Sequence, residues 1–97
     1  MTTAQDYAEK AKVQIDSLAR EIDRLSARAE RLTGEAKAEL DRQIEALKTK
    51  QAEAQERLKV LAGAGDEALG ELARGMDGAI KEMKGAVERA MEKLREK

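Results

Sequence analysis

Apolar residues recur along the first third of the chain in a regular alternation of steps. Ala4, Ala8, Ala11, Ile15, Leu18, Ile22, Leu25, Ala29 and Leu32 follow one another at alternating steps of four and three. This is a heptad seam, with Ile15, Ile22 and Ala29 at a and Leu18, Leu25 and Leu32 at d. After Leu32 the apolar positions continue as Ala36, Leu40, Ile44 and Leu47. Ala29 to Leu40 is a hendecad step and Leu40 to Leu47 a heptad. That combination predicts a stutter, which locally unwinds a left-handed supercoil. Heptads resume through Gln51, Ala54, Leu58 and Leu61. Gln51 falls at a, where a polar residue sets register at some cost in stability.

The strongest break is Gly63-Ala64-Gly65-Asp66. Its glycines suit a left-handed C-terminal cap. Asp66 suits an N-cap, and Glu67 adds negative charge to the following first turn. The pattern predicts helix 1 over about 3–62, a turn at 63–66 and helix 2 over about 66–96. The helix 2 stripe is Leu69, Leu72, Met76, Ile80, Met83, Val87, Met91 and Leu94. Lys93, Arg95 and Lys97 stand near its negative end.

Gly34 divides two architectures. If it ends a helix, three helices of similar length form a monomeric three-helix bundle. If the chain runs through it, the fold is a long antiparallel helical hairpin, a coiled coil. An interior glycine costs only about 1 kcal/mol against alanine. The seam also keeps its phase from Leu32 to Ala36. The hairpin is therefore the primary expectation, and the bundle broken at Gly34 is the alternative.

A continuous first helix of ~60 residues is ~90 Å long, and the second is ~45 Å. Helix 2 then covers only half of helix 1. The expected hairpin seam joins Leu40, Ile44, Leu47, Leu58 and Leu61 to the helix 2 stripe. Ile15, Leu18, Ile22, Leu25 and Leu32 remain as an open self-association seam, which a symmetric homodimer would cover.

Composition restricts the chemistry. Of 97 residues, 18 are alanine, 17 are Leu, Ile or Val, and none is Phe, Trp, Cys, His or Pro. Ala, Glu, Lys, Leu and Arg supply 61 of the 97, as in coiled coils and long helices. The absence of Cys and His argues against a soft-metal site and removes the commonest acid–base residue. No catalytic set, cofactor site or metal loop is expected. The start Met1-Thr2-Thr3-Ala4-Gln5-Asp6 lacks the pattern of a signal peptide, so a cytoplasmic location is the expectation.

Arg20, Arg24, Arg28 and Arg31 share one helix face. A phosphate-binding role is weighed against the pI of 5.6 and the single aromatic residue. On that balance nucleic acid is not an expected partner. The preferred reading is a solvated face whose arginines pair with acidic residues across a helix interface. Asp6/Lys10, Asp16/Arg20, Glu53/Arg57 and Asp77/Lys81 read as i,i+4 pairs. Each such pair is worth about 0.2–0.5 kcal/mol. Gly70, Gly75, Gly78 and Gly85 are read as sites of close helix packing, with methionine filling gaps. The competing reading is a softened helix 2 that opens. Tyr7 staples the N-terminal end of the seam. A membrane-surface role needs aromatics and basic excess that are absent, and it is the disfavoured alternative.

Nearly the whole chain resembles a bacterial family of small coiled-coil stress-response proteins of cyanobacterial type. The resemblance rests on Tyr7-Ala-Glu-Lys-Ala-Lys, Ile15-Asp-Ser-Leu-Ala-Arg-Glu-Ile-Asp-Arg-Leu, Ala54-Gln-Glu-Arg-Leu and Asp66-Glu-Ala-Leu-Gly-Glu-Leu-Ala-Arg-Gly-Met-Asp-Gly-Ala-Ile-Lys. Leu72, Gly75 and Ala79 match the family pattern, while Leu69 and Ile80 stand where it has tryptophans. The resemblance implies a long hairpin and a stress association, and it supplies no catalytic residues. The expected function is a non-enzymatic structural or protein-interaction protein that self-associates and engages a further, unidentified protein.

Overall fold

The computed structural model describes residues 3–96, with only the backbone described for Glu96. Lys97, expected in the last helical turn, lies outside the described residues. Three α-helices run up, down and up: α1 (Ala4–Ala29), α2 (Gly34–Gly63) and α3 (Leu69–Glu96), the last entered through one 3-10 turn at Asp66–Ala68. The all-α class is as expected. Of the two architectures, the chain adopts the three-helix bundle broken at Gly34.

The dimensions exclude the long first helix. The molecule measures 50 × 18 × 16 Å. The long axis accommodates α2, a helix of 30 residues. It does not accommodate a rod of ~90 Å. The physical reason lies in one dihedral. Gly34 has φ +65°, the single positive φ among the described residues, and a Cβ added there would meet nothing within 4 Å. Glycine takes this left-handed conformation without the penalty that other residues incur. The reversal over residues 30–33 is therefore inexpensive, and it brings the whole α1 seam onto α2 and α3. The expected stutter falls on this corner and is not a feature of a supercoil.

Ile15, Leu18, Ile22 and Leu25 are consequently core residues, none more than 7% exposed, and Leu32 packs half-buried beside them. They do not form the open seam expected of a hairpin. Each such burial is worth about 1.5–3 kcal/mol, which far exceeds the cost of one glycine corner. The expected hairpin seam does come together. Leu40, Ile44, Leu47, Leu61, Met76, Ile80, Met83 and Val87 are buried, with Leu58, Leu69, Leu72, Met91 and Leu94 partly buried against them.

The start of α1 is fastened both locally and across the bundle. Thr3 and Asp6 form a reciprocal capping box, Thr3 Oγ1 accepting from the Asp6 N–H at 3.1 Å. The Ala4 N–H donates to Asp66 Oδ1 at 3.1 Å. Asp66 thus caps α1 across the bundle and does not cap its own helix. The 63–66 break itself stands where the sequence places it. Ala64 and Gly65 are extended there, so no left-handed cap ends α2. The Tyr7 hydroxyl meets the Asp77 carboxylate and lies 3.2 Å from the Ala73 carbonyl, pinning the start of α1 to α3.

Gly70 and Gly78 of α3 do not mediate close helix packing. Added Cβ atoms at Gly70 and Gly78 would meet nothing within 4 Å, and at Gly75 only the flexible end of Arg57. These glycines leave α3 intrinsically weak, at about 1 kcal/mol each relative to alanine. Gly70→Ala and Gly78→Ala are each expected to raise unfolding free energy by about 0.5–1 kcal/mol, read by urea denaturation.

Candidate interaction groove

An up-down-up bundle leaves its first and third helices side by side and parallel, joined only through α2. Here α1 and α3 pack less closely on each other than either packs on α2. A furrow remains between them, in two neighbouring segments of about 420 and 320 Å³. Met91 borders both.

The floor is apolar and belongs to the core: Leu18, Ile80 and Val87 in one segment, Leu25 in the other. Val13 forms part of the rim and is 67% exposed, more than Val60, the other large apolar residue that faces solvent among the described residues. It interrupts the heptad rule, being an apolar residue two positions before Ile15 and off the seam. That departure is the sequence signal for the groove, although the seam pattern alone gives it no meaning.

Charge along the furrow is graded. Near Val13 it is mixed, with Glu21, Lys84 and Glu88. Toward the other end Arg24, Arg28 and Arg31 outnumber Glu21, which borders both segments. Among the described residues the ion pairs are Lys37–Asp41, Lys50–Glu82 and Lys93–Glu39. None involves the arginine stripe, so the expected pairing of these arginines across a helix interface is not seen among the described residues. None of the four expected i,i+4 pairs forms either. Asp6 turns to its capping box and Asp77 to Tyr7.

Among the described residues no polar or charged residue is buried as a whole, although the Ser26 Oγ is enclosed without a hydrogen-bond partner. Among those residues no group of three or more carboxylates, histidines or cysteines could hold a metal, and no helix is long and apolar enough to cross a membrane. No family model, curated protein or solved structure matches the chain.

Proposed function

We propose that the protein is a non-enzymatic helical interaction module whose α1–α3 groove receives an amphipathic helix of a partner protein. The observation that carries this reading is the graded groove: an apolar floor with three arginines toward one end that, among the described residues, make no ion pair with the chain's own carboxylates. A fourth helix seated there completes a four-helix arrangement. Lying antiparallel to α1 and α3, it places its own N-terminus beside Arg24, Arg28 and Arg31. Acidic residues are favoured in the first turn of a helix, so the fitting partner carries its carboxylates there. A stress association is part of the proposal, supported by the motif resemblance.

The test is a titration followed by NMR, using a synthetic amphipathic peptide with leucines at helical spacing and glutamates in its first two turns. Expected are perturbations confined to residues near Val13, Leu18, Leu25 and Met91. Charge reversal by the pair Arg24→Glu and Arg28→Glu weakens binding about tenfold, equivalent to about 1.4 kcal/mol. Binding unaffected by the reversal, or perturbation spread over α2, defeats the reading.

A second reading, reversible attachment to a lipid surface by release of α3, is favoured by one observation. Gly70 and Gly78 weaken α3 without serving its packing. Under that reading the stiffened Gly70→Ala and Gly78→Ala chains float less with anionic vesicles than the wild type. Equal flotation counts against it.

A further inference from the structure

We propose that the corner at Thr33 and Gly34 is a hinge, and that across it the chain recognises a second copy of itself. In the resulting dimer α1 and α2 run on as one helix, and each α1 packs on the partner's α2–α3 hairpin. This inference does not depend on the groove.

Three observations converge on the corner. First, the bend is short and free of side-chain contacts at its glycine. The Arg31 and Leu32 N–H groups turn to the Arg28 and Ala29 carbonyls, Thr33 is extended, and Gly34 takes φ +65° where an added Cβ would meet nothing within 4 Å. Second, the bend leaves α2 poorly started. Thr33 makes no side-chain cap to the first turn, in contrast to the full capping box at Thr3. The opening N–H groups of α2 therefore gain nothing from their N-cap side chain, and in a continuous helix the carbonyls of residues 30–33 would accept from them. Third, the residues on both sides are already in helical phase. Ile22, Leu25, Ala29, Leu32, Ala36 and Leu40 keep steps of three and four through the corner, although a corner has no need of them. Glu30, Arg31 and Leu32 are good helix formers, so Gly34 is the principal local obstacle to a straight helix.

Straightening lifts α1 off its own hairpin and exposes Ile15, Ile22 and Leu25. The one surface shaped to receive that face is the α2–α3 hairpin of an identical chain. The contacts of Tyr7 with Asp77, and of the Ala4 N–H with Asp66, re-form between chains. The exchange is reciprocal and closes as a two-fold dimer. Nearly every tertiary contact is kept. The balance is therefore set by strain at Gly34, by helix continuity at the corner, and by protein concentration.

The test uses the full chain, which has no cysteine of its own, with Tyr7→Cys and Asp77→Cys introduced as a crosslinking pair. A short bismaleimide joins these positions within one chain in the closed monomer and between two chains in the exchanged dimer. In light scattering, Gly34→Ala is expected to shift the population at least tenfold toward a species of twice the 10.7 kDa chain mass. That species should yield interchain crosslinks. Wild-type chain refolded from denaturant at high concentration should trap the same dimer. Insertion of two glycines after Thr33, which abolishes continuity, should keep the protein monomeric. The proposal is overturned if the refolded wild-type chain and every folded Gly34→Ala sample remain monomeric. It is equally overturned if any dimer carries only intrachain crosslinks.

Discussion

Ile22→Ala is expected to lower the free energy of unfolding by about 2–5 kcal/mol, the range for truncating a buried aliphatic side chain. Ile22 is 1% exposed and sits toward the C-terminal end of α1, among Ile15, Leu18 and Leu25 on its own helix and the buried faces of α2 and α3. The mutation removes transfer free energy and leaves a cavity that stiff neighbouring helices collapse into poorly. A domain of this size is stable by only about 5–15 kcal/mol, so the loss is a large share of the total. Urea denaturation followed by circular dichroism measures it. The loss should be the same in dilute solution, because the closed bundle buries Ile22 within one chain. An open α1 seam covered only by a partner would give a loss that varies with protein concentration.

The second large effect is expected at the centre of α3. Met83→Glu should abolish cooperative folding, because Met83 has no exposed surface and no cationic side chain lies in the core to receive a carboxylate. A buried charge without a partner costs several kcal/mol even after relaxation, and loss of the native state is the cheapest response. Burial at 0% makes this substitution a test of the fold. A Met83→Glu protein that melts cooperatively near the wild-type temperature would mean that α3 is not docked as described.

Both predictions rest on residues that heptad spacing had already selected. Ile22 and Met83 are legible as seam positions because burying one face of a helix requires apolar residues at steps of three and four. The turn at 63–66 is legible because two glycines and an aspartate interrupt helix formers. The groove was much less so. The arginine stripe can be read off the chain, but that Arg24, Arg28 and Arg31 form no ion pair among the described residues depends on where α2 and α3 place their carboxylates. Asp66 shows the same limit. Its position at a break points to a local cap, while its carboxylate reaches the Ala4 N–H, 62 positions away in sequence.

The amino-acid sequence by itself determined that this protein is helical, which face of each helix is apolar, and where α2 gives way to α3. These are local or periodic properties, settled by propensity and by the helical repeat. Only the tertiary structure decided whether the seams of α1 and α2 form one long stripe or two faces folded on each other. Phase is the same in both, because a heptad seam specifies what must be buried and not which chain buries it. Folding back in one chain needs one residue at φ +65° and encloses Ile15, Ile22 and Leu25 without a partner. A glycine at position 34 makes that conformation nearly free, so the seam closes at home.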